Sequence, residues 1–167
     1  VMARSLSAEG QRLTAFGEKF ERLVPYKGEA AAKEGMVQVL GEAVPVRDLS
    51  ALHYEVAGLA PCSLPWAGRS GQLIYHADAG TGWLTLIMNR RPADAAPSPV
   101  PEKWVSELRS GDRQIPPVYV WRTGDVVFYL VAPTEWEGRR ALEPLGAPRS
   151  VRRADPDLAR AGSYSGK

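Results

Sequence analysis

Val126-Val127-Phe128-Tyr129-Leu130-Val131 is apolar or aromatic at every position. Successive side chains of a strand point to opposite faces, so Val126, Phe128 and Leu130 share one side and Val127, Tyr129 and Val131 the other. Both faces need cover, because each large apolar side chain gains about 1.5 to 3 kcal/mol on burial. The run must lie inside a layered fold. Thr123-Gly124-Asp125 joins it to Val118-Tyr119-Val120-Trp121-Arg122, with Gly124 where a tight turn asks for positive φ and Pro133 closing the second strand.

A second hairpin pairs Gln72-Leu73-Ile74-Tyr75-His76 with Trp83-Leu84-Thr85-Leu86-Ile87-Met88 across Ala77-Asp78-Ala79-Gly80-Thr81-Gly82. A further strand is expected over residues 52–59, ended by Pro61, after the extended Val44-Pro45-Val46-Arg47-Asp48-Leu49-Ser50. Leu13, Phe16, Phe20, Leu23 and Val24 fall at helical spacing between Ser7, a candidate N-cap, and Pro25, a stop. A helix over residues 29–40 ends at Gly41, a natural C-cap. Pro-rich residues 93–101 read as a loop, Pro101 as the first residue of a short helix to 109 with Trp104, Val105 and Leu108 on one face, and residues 135–145 as a last helical turn or two. These elements make an α+β fold: a small antiparallel sheet of about five strands, two hairpins plus an extra strand, with the N-terminal and middle helices packed on it. Another copy of the chain is one way to cover the second face, so a homodimer is expected to be possible.

Three segments follow: an amphipathic helical region over 1–27, the α+β body over 28–146, and a basic tail over 147–167 with too few apolar residues to pack. The 167 residues carry a formal net charge of +2, but residues 147–167 hold five Lys and Arg against two acids. The body is close to neutral, which argues against a nucleic-acid partner. Cys62 is the single cysteine, so an intrachain disulfide and a cysteine-based zinc site are excluded. The start at Val1-Met2 reads as a fragment of something longer.

Candidate chemistry is thin. His53 and His76 each have a carboxylate near in sequence, Glu55 and Asp78, and a Cys62–His76 thiol and base can be drawn. Cys62, His76 and Met88 are soft ligands whose spacing matches no copper site, and Gly80-Thr81-Gly82 lacks the residues of a phosphate loop. No metal and no cofactor is expected. The aromatics gather around the hairpins, and because Trp, Tyr and Arg dominate interface hot spots, Trp83, Trp121, Arg122 and Tyr129 are the candidate partner-binding residues.

Asp48-Leu49-Ser50-Ala51-Leu52-His53-Tyr54-Glu55-Val56-Ala57-Gly58, then Gly71-Gln72-Leu73-Ile74-Tyr75 and Gly82-Trp83-Leu84-Thr85-Leu86-Ile87, resemble the extracytoplasmic domain of membrane-bound proteobacterial anti-sigma factors. Trp121-Arg122-Thr123-Gly124-Asp125 followed by Phe128-Tyr129-Leu130 is similar to a late strand pair of that family, so the likeness spans residues 28 to 133. It departs from the pattern at His53, where Gly is common, in the Pro-rich insertion, and in lacking the family's sigma-binding region and membrane helix. The resemblance implies a periplasmic, non-enzymatic sensor or regulatory domain, its parent anchored in the inner membrane, acting through protein contacts with no catalytic residue. The alternatives are an accessory subunit of an envelope complex, or a small hydrolase or thiol enzyme using His76 with Cys62.

Overall fold

The computed structural model describes residues 24–62, 68–79, 82–109 and 116–154. One eight-stranded sheet organises them, in the order β1 (Tyr26–Lys27), β2 (Tyr54–Pro61), β3 (Arg69–Ala77), β4 (Trp83–Arg90), β7 (Val126–Val131), β6 (Val118–Thr123), β5 (Val105–Leu108), β8 (Val151–Arg153). Every pair is antiparallel except β5 with β8. The two hairpins read from sequence sit side by side at the centre, β4 against β7, with Leu86 opposite Leu130 and Met88 opposite Phe128. The class is α+β.

Two helices among the described residues, α1 (Gly28–Leu40) and α2 (Glu135–Leu142), cover one face. Ala32, Met36 and Leu40 of α1 and Ala141 and Leu142 of α2 join Leu73, Tyr75, Leu84, Leu86, Tyr119, Trp121, Phe128 and Leu130 in one core. Gly41 ends α1 at φ 80, the left-handed conformation that an L side chain resists, and donates to the Val37 carbonyl at 2.8 Å. Ile87, Val118, Val120, Val127, Tyr129 and Val131 are buried on the opposite face, where Val100, Cys62 and Ala154 pack against them. Both faces of β7 are thus covered within one chain.

The sheet is larger than the small one expected by three strands: the two-residue β1, which pairs with β2, and β5 and β8. Residues 105–108, expected to be helical, are instead strand β5, all four buried. Trp104, Val105 and Leu108 do have helical spacing, but Glu107 decides the matter: fully buried in β5, it is held by Arg109 and Arg139, and Arg109 also reaches Glu135 at 2.5 Å. A tertiary ion network overrides the local periodicity. Ala147, in the stretch expected not to pack, is buried, and Val151–Arg153 pairs with β5 while Arg152 lies 4.1 Å over the Trp104 ring. The helix expected over residues 7–24 lies outside the described residues except for Val24, which is buried; so does the tail beyond residue 154.

Candidate functional site

The four residues expected to bind a partner do not share a surface. Trp121 is buried under the helices, stacked on Phe128 with ring centroids 5.2 Å apart. Tyr129 is buried on the other face of the sheet. Trp83, half-buried, meets the His76 ring edge to face at 5.7 Å. Arg122 donates to the Val100 carbonyl at 3.0 Å and to Glu102 and the Gly124 carbonyl at 2.9 Å each, so its guanidinium braces the proline-rich loop against the β6–β7 turn. These are fold-making contacts, and Trp121 and Tyr129 are corrected from surface to core.

Nor does the fold bring Cys62 to His76. His76 stands opposite Glu55 in the β2–β3 pair, whereas Cys62 bonds through its N–H to the Ser70 carbonyl at the far end. Ser70 and His76 are roughly six residues, or about 20 Å, apart along β3, so the drawn thiol and base stay separate. Among the described residues no group of three His, Cys, Asp or Glu side chains is placed to hold a metal ion.

A cleft that the hairpin aromatics did not point to opens where β2 begins, β3 ends and α2 starts. Its local construction begins at Asp48, whose Oδ1 accepts the Ser50 N–H at 2.8 Å and sets off a short 3-10 turn, Ser50–Leu52. That hydrogen bond, through the Ser50 backbone and then its side chain, holds the Asp48 carboxyl below its usual range. Leu49 is buried and anchors the turn, its carbonyl accepting from Leu52 and Tyr54. The turn closes on His53 at φ 63, ψ 37, the one non-glycine residue with positive φ among those described. Asp78 secures it twice: its N–H donates to the His53 carbonyl at 2.9 Å, and its Oδ2 lies 3.3 Å from His53 Nδ1.

The far wall is the first turn of α2. Thr134 caps the helix, its Oγ1 accepting the Glu137 N–H at 3.2 Å and donating to Glu137 Oε2 at 2.7 Å. Tyr54 donates to the other carboxylate oxygen at 2.7 Å. Burial, then the Glu137 hydrogen bond, push the Tyr54 phenol well above its usual range, so it stays a donor across the neutral pH region. Gly82 comes close to this pair: a Cβ there would stand 3.4 Å from the Tyr54 hydroxyl.

No protein-family model, no curated protein and no solved structure matches this chain.

Its site is therefore read from geometry alone. His53, Tyr54, Asp78, Trp136, Glu137 and Arg140 line an open cleft of about 410 Å³. Trp136 is 65% exposed, and the Arg140 guanidinium lies 4.2 Å from the centre of its ring. Arg140 makes no ion pair among the described residues, whereas its neighbour Arg139 has two carboxylates. One sequence signal could have found Trp136: the buried residues of α2 are Gly138, Ala141 and Leu142, and Trp136 with Arg140 falls one turn apart on the side away from them.

Proposed function

We propose that this chain is a non-enzymatic regulatory or sensor domain that acts by contact, the extracytoplasmic part of a membrane-anchored anti-sigma factor. On this reading it is periplasmic, its parent sits in the inner membrane, and its output is control of a sigma factor through a protein partner. The observation that carries the reading is the conformation of His53. Where the family pattern has Gly, this chain holds a left-handed backbone at φ 63, the geometry for which Gly is the default residue. The departure at this position is one of side chain, while the backbone suits the pattern.

The other residues of the likeness have structural roles that make a shared pattern understandable. Leu49 anchors the turn, and the Tyr75 hydroxyl donates to the Arg47 carbonyl at 3.0 Å, tying that turn to β3. Trp121 stacks on Phe128 ahead of the Gly124 turn at φ 58. The contact surface moves from the hairpin aromatics to the rim of the cleft, where Trp136 is exposed.

The test is genetic. Residues 24–154 are excised in frame from the parent gene and transcripts are compared with the intact strain. The expected result is a several-fold change in a set of genes sharing one promoter sequence. An unchanged transcript profile under every envelope stress applied would overturn the proposal.

A further inference from the structure

We infer that the cleft at His53 and Trp136 is a binding site for a small aromatic carboxylate. This goes beyond the regulatory reading and does not depend on it, since binding is measured on the purified chain. The volume, about 410 Å³, falls within the roughly 300 to 1,000 Å³ of small-ligand sites. What decides the ligand class is which polar groups in the cleft are already engaged.

Both oxygens of Glu137 accept hydroxyl hydrogens, one from Tyr54 and one from Thr134, so this carboxylate is held in place as part of the wall. The Asp78 Oδ2 faces His53 Nδ1 at 3.3 Å. Arg140 differs from both. Among the described residues no ion pair or hydrogen bond holds it: it lies over the Trp136 ring and close enough to Tyr54 to act on that phenol electrostatically, and a guanidinium has a planar fork of donors that matches a carboxylate in bidentate geometry. The cation is also oriented in advance, because stacking on the indole limits its rotamers and the Thr134 cap fixes the turn of α2 that presents it.

Trp136 supplies the second half of the recognition. An indole left 65% exposed offers flat apolar surface against which an aromatic ring can stack. A flat ring with a carboxylate at one end satisfies both groups together, the carboxylate on Arg140 and the ring on Trp136. His53, whose ring is 79% exposed, lies on the opposite wall and sets the width of the cleft. The nearby acids Asp78 and Glu137 make an organic cation the rival ligand, and the experiment separates the two.

The purified chain is titrated with benzoate, with neutral benzamide and with cationic benzylamine, following backbone amide and indole N–H resonances by NMR. Benzoate is expected to shift the signals of His53, Asp78 and Trp136 saturably, with benzamide and benzylamine at least about tenfold weaker. Arg140→Gln is expected to weaken benzoate about tenfold, while Lys33→Gln, at an exposed cation of α1 that does not line the cleft, leaves it unchanged. Because Arg140 is on the exposed face of α2, its substitution leaves the core intact, and retention of the remaining spectrum checks this. Benzylamine or benzamide binding as well as benzoate, equal benzoate binding by the Arg140→Gln chain, or shifts confined to residues outside the cleft would each overturn the inference. Loss of benzoate binding with the transcript response intact would remove the ligand and leave the regulatory reading standing.

Discussion

His53 shows how much one residue's backbone can say. A left-handed conformation costs a non-glycine residue about 1 to 2 kcal/mol, and glycine, which escapes that cost, gives back roughly 0.5 to 1 kcal/mol in unfolded-chain entropy. The side chain's own contribution is small, because its contact with Asp78 is largely exposed to water. His53→Gly is therefore expected to match the parent or exceed it by up to about 1 kcal/mol, and His53→Val, β-branched and hence worse suited than His to this conformation, to fall below the parent. Urea denaturation midpoints read both. A glycine variant less stable than the valine one would remove the argument that this position is built for glycine. Glu107 makes the opposite point: Arg109 is near it in sequence, but nothing there announces a carboxylate with no exposed surface, since its second partner, Arg139, comes from α2.

At the level of elements, α2 couples the cleft to the sheet, and Gly138 is where the fit is tightest. A Cβ at this position would run into the Tyr119 ring and stand 3.1 Å from the Ala132 Cβ. Alanine in a helix is favoured over glycine by about 1 kcal/mol, but overpacking costs about 1 to 3 kcal/mol, so the clash outweighs the propensity. Gly138→Ala is expected to lower stability by about 1 kcal/mol, measured by thermal or urea unfolding; a more stable variant would mean that α2 lies further from β6 than described. The elements legible in sequence were those whose signal is local. Both hairpins, α1 with its Gly41 cap and α2 follow from periodicity, β-branched runs and turn residues. β5 and β8 were not legible, because Val105–Leu108 imitates a helix face and Val151 is the single apolar residue of its strand. Their pairing is set by contacts far along the chain, Arg139 to Glu107 and Arg152 to Trp104. The cleft was hidden for the same reason: its walls come from residues 52–54, 77–79, 136, 137 and 140, while Trp121 and Tyr129 of the second hairpin belong to the core.

The molecule as a whole is a sheet clad on both sides, and its buried phenols give that state a chemical signature. Tyr54, Tyr75, Tyr119 and Tyr129 are all raised above the ordinary phenol range, first of all by burial, and Tyr119 is pushed up to about 12. Burial disfavours the charged form, so each phenol stays neutral in the fold at a pH where it would ionise in the unfolded chain. A folded value above the unfolded one means that the contribution is complete below pH 10.0 and is lost as pH rises through about 12 for Tyr119. The unfolded chain binds more weakly to these protons, and alkali pulls the equilibrium toward it. Tyrosinate absorbance in an alkaline titration is therefore expected to rise in a late, steep, cooperative step together with loss of the near-ultraviolet circular dichroism. Independent ionisation of all the tyrosines near pH 10 with tertiary signal unchanged would mean that the phenols are wet and the sheet is open on at least one face.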